Sequence, residues 1–138
     1  MKKVIPVFAA VLLCGAFAAC ASKPAAIDAA HNAQNSLNWA GVYTGIIPAA
    51  DGPGINVAIT LHTDATCEVQ YQFIDRENSN YVYTGTFTWD QAGNTIMLDI
   101  EDVPPYYRLG ENTLTQLDMA GKPITGVIAE HYILRKVD

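Results

Sequence analysis

The feature that most constrains this chain is a period of two. From Trp39 onward, apolar residues recur at every second position rather than every third or fourth. Trp39, Gly41, Tyr43, Gly45 and Ile47 share one face of an extended segment, and Ile55, Val57, Ile59 and Leu61 share one face of the next. Cys67, Val69, Tyr71 and Phe73 alternate with Glu68, Gln70 and Gln72; Tyr83, Gly85, Phe87 and Trp89 alternate with Thr84, Thr86 and Thr88. Neighbouring side chains on a strand point to opposite faces, so this spacing builds strands with one apolar side. Ile96, Leu98 and Ile100 mark a fifth strand, and residues 106–109, 113–117 and 131–137 supply three more. The intervening segments, such as Asp90-Gln91-Ala92-Gly93-Asn94 and Gly110-Glu111-Asn112, are rich in residues that tolerate tight-turn backbone angles. Short strands joined by short turns make an antiparallel meander. About eight strands with one apolar face bury it best by rolling shut, which also removes exposed edges. The expected fold is all-β: a small antiparallel, lipocalin-like barrel. Pro104-Pro105 interrupts the alternation and belongs at an edge or rim.

The barrel is expected to span residues 39–138; what precedes it reads differently. Lys2 and Lys3 form a positive start, Val4 to Ala19 is an uncharged apolar run, and small residues close the segment at Ala18-Ala19-Cys20. That is a secretory signal over residues 1–19, somewhat short for a transmembrane helix. Phe17-Ala18-Ala19-Cys20 resembles the lipobox of bacterial lipoproteins, with Phe17 where leucine is usual. The resemblance implies cleavage before Cys20 and acylation of its thiol. Acyl chains anchor a protein to a bilayer at roughly 0.8 kcal/mol per buried methylene, without spanning it. Ala21, in place of an aspartate, favours the outer membrane, facing the periplasm or the cell surface. Residues 20–38 lack an apolar stripe and read as the lipidated start and a tether.

Removal of the signal leaves fourteen acidic residues against six basic ones, a net charge of −8. Nucleic acid is thereby excluded as a partner, since phosphates require a basic face. Cysteine usage is equally restrictive. With Cys14 in the signal and Cys20 acylated, only Cys67 remains, and one thiol makes no internal disulfide. The fold must stand on its apolar core.

One connection stands out for chemistry. Pro48 to Ile55 reads Pro-Ala-Ala-Asp-Gly-Pro-Gly-Ile, two prolines and two glycines with one carboxylate. Together with Trp39-Ala40-Gly41-Val42-Tyr43-Thr44-Gly45, Asp64-Ala65-Thr66, Gly85-Thr86-Phe87, Tyr106-Tyr107-Arg108 and Gly121-Lys122-Pro123-Ile124, it resembles the N-terminal domain of the NlpE family over residues 39–136. The resemblance implies an outer-membrane lipoprotein tied to copper tolerance and envelope-stress signalling, including activation of a sensor kinase. The matching turn positions are Pro48, Asp51, Gly54 and Ile55. The family has Pro-Cys-x-x-Cys here; this chain has Ala49 and Gly52 in place of the two cysteines. Paired thiolates hold soft Cu(I) or cycle with a disulfide, and alanine and glycine do neither. No metal site and no cofactor are expected. The longer family members' C-terminal domain is also not matched.

Other chemistry finds little footing. Cys67 heads an alternating strand and reads as a buried structural residue. No spacing brings His62, His131, Met97 or Met119 together on one strand face, and no nucleophile has a base placed beside it. A non-enzyme is expected. Six aromatics, Tyr43, Tyr71, Phe73, Tyr83, Phe87 and Trp89, are expected inside the barrel, where they fill it or leave room for one small apolar ligand. Tyr81, Tyr106 and Tyr107, near strand ends, fit either a rim patch for protein contact or ordinary strand packing. Three functions follow: signalling through protein contact first, then carriage of a small apolar ligand, then inhibition of a cell-wall or host enzyme.

Overall fold

The structure, a computed structural model, describes residues 31–138. The expected signal segment and the expected acylation site, Cys20, lie outside the described residues. Eight strands run in order around a closed antiparallel barrel: β1 Gly41–Ile47, β2 Ile55–Leu61, β3 Thr66–Phe73, β4 Asn80–Trp89, β5 Thr95–Asp99, β6 Tyr106–Gly110, β7 Thr113–Gln116 and β8 Ile133–Val137. Closure is made by β1 against β8, with Val42 opposite Val137 and Thr44 opposite Arg135. The expected all-β barrel is therefore what the chain forms. One expected strand is shorter than its sequence pattern: Ala129–Tyr132 is a 3-10 turn, so His131 and Tyr132 precede β8.

The period of two becomes the inside and outside of the barrel. Tyr43, Ile59, Val69, Phe87, Ile96, Leu114 and Leu134 are sealed inside, while the intervening threonines of β4 face solvent. Two inward glycines make room where strands cross closely. A Cβ on Gly45 would stand 2.7 Å from the Leu134 side chain. A Cβ on Gly85 would stand 2.6 Å from Ile100 Cγ1 and 2.8 Å from the Asp99 carbonyl oxygen, below any real contact.

The two ends of the barrel differ. At one end lie the connections 62–65, 90–94 and 111–112, and the chain enters there. The expected tether does not run free to Asn38. Its last residues form a short helix, α1 Ala33–Ser36, which packs across this end. Ala33 is buried in the core, its N–H donates to Asn94 Oδ1 (2.9 Å), and the Gln34 N–H donates to the Gly93 carbonyl (2.9 Å). Asn32 caps the helix through a bond from the Asn35 N–H (2.9 Å). Trp39 then lies edge-on to Phe87 (5.7 Å) and Trp89 (5.3 Å), with its indole N–H donating to the Gln34 carbonyl (3.1 Å). A cap of four helical residues has no stability of its own and holds by these contacts. This end is shut. The opposite end, framed by residues 48–54, 74–79, 100–105 and 117–132, is open.

Candidate functional site

The open end is a cavity of about 470 Å³ sunk into the barrel. Ile47 at the end of β1, Ile55 at the start of β2 and Pro104 form an aliphatic wall. Two neighbouring strands supply the rings: Tyr71 and Phe73 from β3, Tyr81 and Tyr83 from β4. They pair edge to face, Tyr71 with Tyr83 and Phe73 with Tyr81, each at 5.9 Å between centroids. In the barrel interior Val69, Phe87, Tyr107 and Leu114 are buried. The burial of Tyr107 pushes its phenol well above the usual range, and the Tyr71 hydroxyl beside it adds to the rise. Burial likewise raises Tyr71 and, further in, Tyr43 and the Cys67 thiol.

The Pro48–Ile55 turn forms one lip of this mouth. It is tied to the 74–79 connection across the barrel rim: the Ile74 N–H donates to the Gly54 carbonyl (3.1 Å), and Arg76 lies 3.8 Å from the Asp51 carboxylate. The Arg76 guanidinium also stands 5.4 Å over the Phe73 ring. Ser79, buried at the base of the same connection, has its hydroxyl within reach of the Phe73 (2.9 Å) and Arg76 (2.8 Å) carbonyls. Gly54 has a positive φ of 144°, and a Cβ there would meet Ile46 Cγ2 at 2.8 Å, so a side chain is excluded twice over. Ala49 and Gly52, the positions where the family resemblance places sulfur, carry no donor atom. A Cβ on Gly52 would meet nothing within 4 Å. The turn does not fit a thiolate-held copper ion.

The six expected interior aromatics divide by depth. Tyr43 and Phe87 are buried, Trp89 is half-buried under Trp39 at the closed end, and Tyr71, Phe73 and Tyr83 line the cavity. The rim patch does not form. Tyr107 faces inward with Leu109 and is 1% exposed; Tyr81 stands opposite Tyr71 and lines the mouth; Tyr106 is half-buried under Gly121. Cys67 is buried, opposite Gly85. The candidate metal-binding side chains stay apart: His62 sits in a turn at the closed end, His131 at the open end, Met97 on the outer face of β5 and Met119 on an exposed connection. Pro104, expected at an edge or rim, lines the mouth, whereas sequence reasoning missed Arg76 and Asp102 there. Arg76 was findable as the one cation among the acids of residues 75–77; Asp102 carries no local signal.

Comparison with known proteins agrees with this architecture. Residues 43–127 match the NlpE N-terminal domain family. Lipoprotein NlpE of Escherichia coli (strain K12) is 26% identical over 83 residues, 59% of this chain and 35% of that protein, so the chain spans about a third of that curated relative. Among solved structures, a chain described as a lipoprotein of Shewanella oneidensis is 41% identical with a TM-score of 0.70, covering 76% of this chain and 94% of that one. The structure of NlpE of Escherichia coli, described as the Cpx pathway activator, has a TM-score of 0.53 at 26% identity, covering 62% of this chain and 46% of that one. The family match spans more than half of the sequence and the barrel agrees with it: this chain belongs to the NlpE N-terminal domain family.

Proposed function

We propose that this protein is a non-catalytic outer-membrane lipoprotein that signals envelope stress by contact with a protein partner, the partner class being a membrane sensor kinase. The observation that carries the reading is polarity of the barrel. The chain enters at the sealed end, so an anchor at Cys20 holds that end, and the four connections of the open end stand at the other pole. There the longest connection exposes Met119, Val127 and Ile128, with Val127 96% exposed. Exposed apolar side chains clustered on one connection favour a protein contact. Relation to copper tolerance would then run through signalling rather than through metal held at Ala49 and Gly52. The test is crosslinking in living cells from a photoreactive residue at Val127, with Met97 on the barrel wall as the comparison site, read beside an envelope-stress reporter. A partner captured from position 127 and not 97, with the reporter silenced by Val127→Asp, is the expected result. Equal capture from both sites and an unchanged reporter would dispose of the reading.

A second reading is favoured by the cavity itself. Its volume lies in the range of small-ligand sites, about 300–1,000 Å³, with aliphatic and aromatic inner walls and a polar mouth. An eight-stranded barrel has room for one small ligand when its upper layers are not filled. In this reading the barrel binds an apolar molecule at its open end.

A further inference from the structure

The charge around the mouth is lopsided. The four connections of the open end carry seven carboxylates against two cations, Arg76 and Lys122, which is −5 of the −8 left after signal removal. Of the two cations only Arg76 lines the cavity, and its charge is already answered: the guanidinium lies over Phe73 and beside Asp51. Glu77 and Asp102 line the same cavity with no ion-pair partner among the described residues. They come from two different connections, so the acidic side is assembled by the fold rather than by one run of sequence.

Behind these carboxylates stands the aromatic wall of Tyr71, Phe73, Tyr81 and Tyr83. Ring faces attract ammonium and guanidinium groups, and Arg76 over Phe73 shows that this wall accepts a cation. An anionic head placed at the mouth would meet Glu77 and Asp102 and lose. A neutral apolar molecule would gain the interior walls but leave the carboxylates idle. We propose that the open end of the barrel binds a small amphiphile with a positively charged head, an alkyl- or arylammonium. Its apolar body lies between Ile47, Ile55, Tyr83 and Pro104, and its ammonium sits at the mouth by Tyr81, Glu77 and Asp102. The cavity, about fifteen water volumes at roughly 30 Å³ each, takes a ligand of roughly a dozen heavy atoms. This rests on the reading of the cavity as a ligand site and adds the chemistry of the ligand.

Equilibrium dialysis of the full chain in phosphatidylcholine nanodiscs, against empty discs, tests it. The probes are octyltrimethylammonium, octanol and octanoate, all below micellar concentration. Saturable binding of one octyltrimethylammonium per chain is expected, roughly three- to tenfold tighter than octanoate, with octanol between, because two exposed carboxylates attract a cation and repel an anion only modestly. The Glu77→Gln/Asp102→Asn chain, altered at two exposed positions, should bind octanol unchanged and lose most of the preference for the cation. Asn suits the positive φ of 65° at position 102. Binding of all three probes with equal affinity overturns the ammonium assignment and leaves a ligand site standing. Absence of saturable binding by any probe overturns both.

Discussion

The sealed end offers the sharpest test of how this barrel is held together. Trp39→Ala removes a half-buried indole that touches Phe87 and Trp89 edge-on and bonds the carbonyl of Gln34 in the capping segment. A fully buried Trp→Ala change costs about 3–5 kcal/mol, and each edge-to-face pair adds about 0.5–1.5 kcal/mol beyond area. Trp39 is only half-buried, so the low side applies: about 2–3 kcal/mol. For a domain of this size, 1 kcal/mol moves the melting temperature by about 4–8 °C, which places the loss near 10–20 °C. Thermal unfolding by circular dichroism of the full chain reads this directly. The accompanying measurement is amide hydrogen exchange at Ala33 and Gln34, whose N–H groups are fixed to Asn94 and Gly93. Exchange there should rise by more than at Ile59 or Val69 in the barrel wall, because the cap loosens before the barrel opens. Trp39→Phe, which keeps a ring, should lose about half as much. A melting shift below about 4 °C, or exchange that rises equally everywhere, would refute the account of the cap as a separately held piece.

Further outcomes are specific to single residues. Ala65 holds a left-handed backbone, φ 67°, in the β2–β3 hairpin; Ala65→Gly should stabilise by about 0.5–1 kcal/mol, the relieved strain of about 1–2 kcal/mol less the extra freedom of the unfolded chain, checked by urea denaturation. Gly85→Ala should destabilise by about 1–3 kcal/mol, since the new Cβ would press on the Asp99 carbonyl, which cannot retreat without opening β4 from β5. Burial raises Tyr43, Tyr71, Tyr107 and Cys67, so the folded chain holds these protons more tightly than the unfolded one. The stability they confer is full below the ordinary thiol and phenol values of 9.0 and 10.0 and is lost as pH rises through the raised ones; Tyr107→Phe should flatten that alkaline decline, and superimposable pH curves would contradict it. The delipidated chain should retain no stoichiometric cuprous ion, whereas the Ala49→Cys/Gly52→Cys chain should retain one, with about 1–2 kcal/mol of backbone strain at position 52 where φ is +105°.

Much of this fold is legible in the sequence because a period of two reports burial without an intermediary. Leu61, Cys67 and Val69 alternate with exposed or half-exposed neighbours in the register in which they were read. What was not legible depends on depth along the barrel axis. The alternation places Tyr71, Phe73 and Tyr83 inside, but it does not tell a ring in a packed layer from one at a cavity wall. Of the two readings open for Tyr107, a rim patch and strand packing, packing is the one the structure takes: it shares a strand face with Leu109, and that face points inward. The cap was missed for a different reason. A plug across a barrel end needs one buried alanine and a few backbone bonds, so Asn32 to Asn38 shows no apolar stripe. His131 was read as strand because it leads the apolar run of β8, whereas a one-turn 3-10 segment delivers the chain to that strand.

The Pro48–Ile55 turn separates two kinds of position that the family motif joins. Gly54 is fixed by contact, since any Cβ would strike Ile46, and its carbonyl is taken by Ile74; Asp51 reaches across the rim to Arg76. These residues tie the turn to the 74–79 connection, whose Arg76 and Ser79 line the cavity. Gly52 faces open space, so nothing in the barrel depends on a side chain there, and Ala49 beside it needs no sulfur for the wall to stand. Sulfur at positions 49 and 52 would add chemistry, and its absence leaves the rim standing. That asymmetry sets apart two kinds of position in one turn: Gly54 and Asp51 are bound into the rim, while position 52 faces open space and is free to vary.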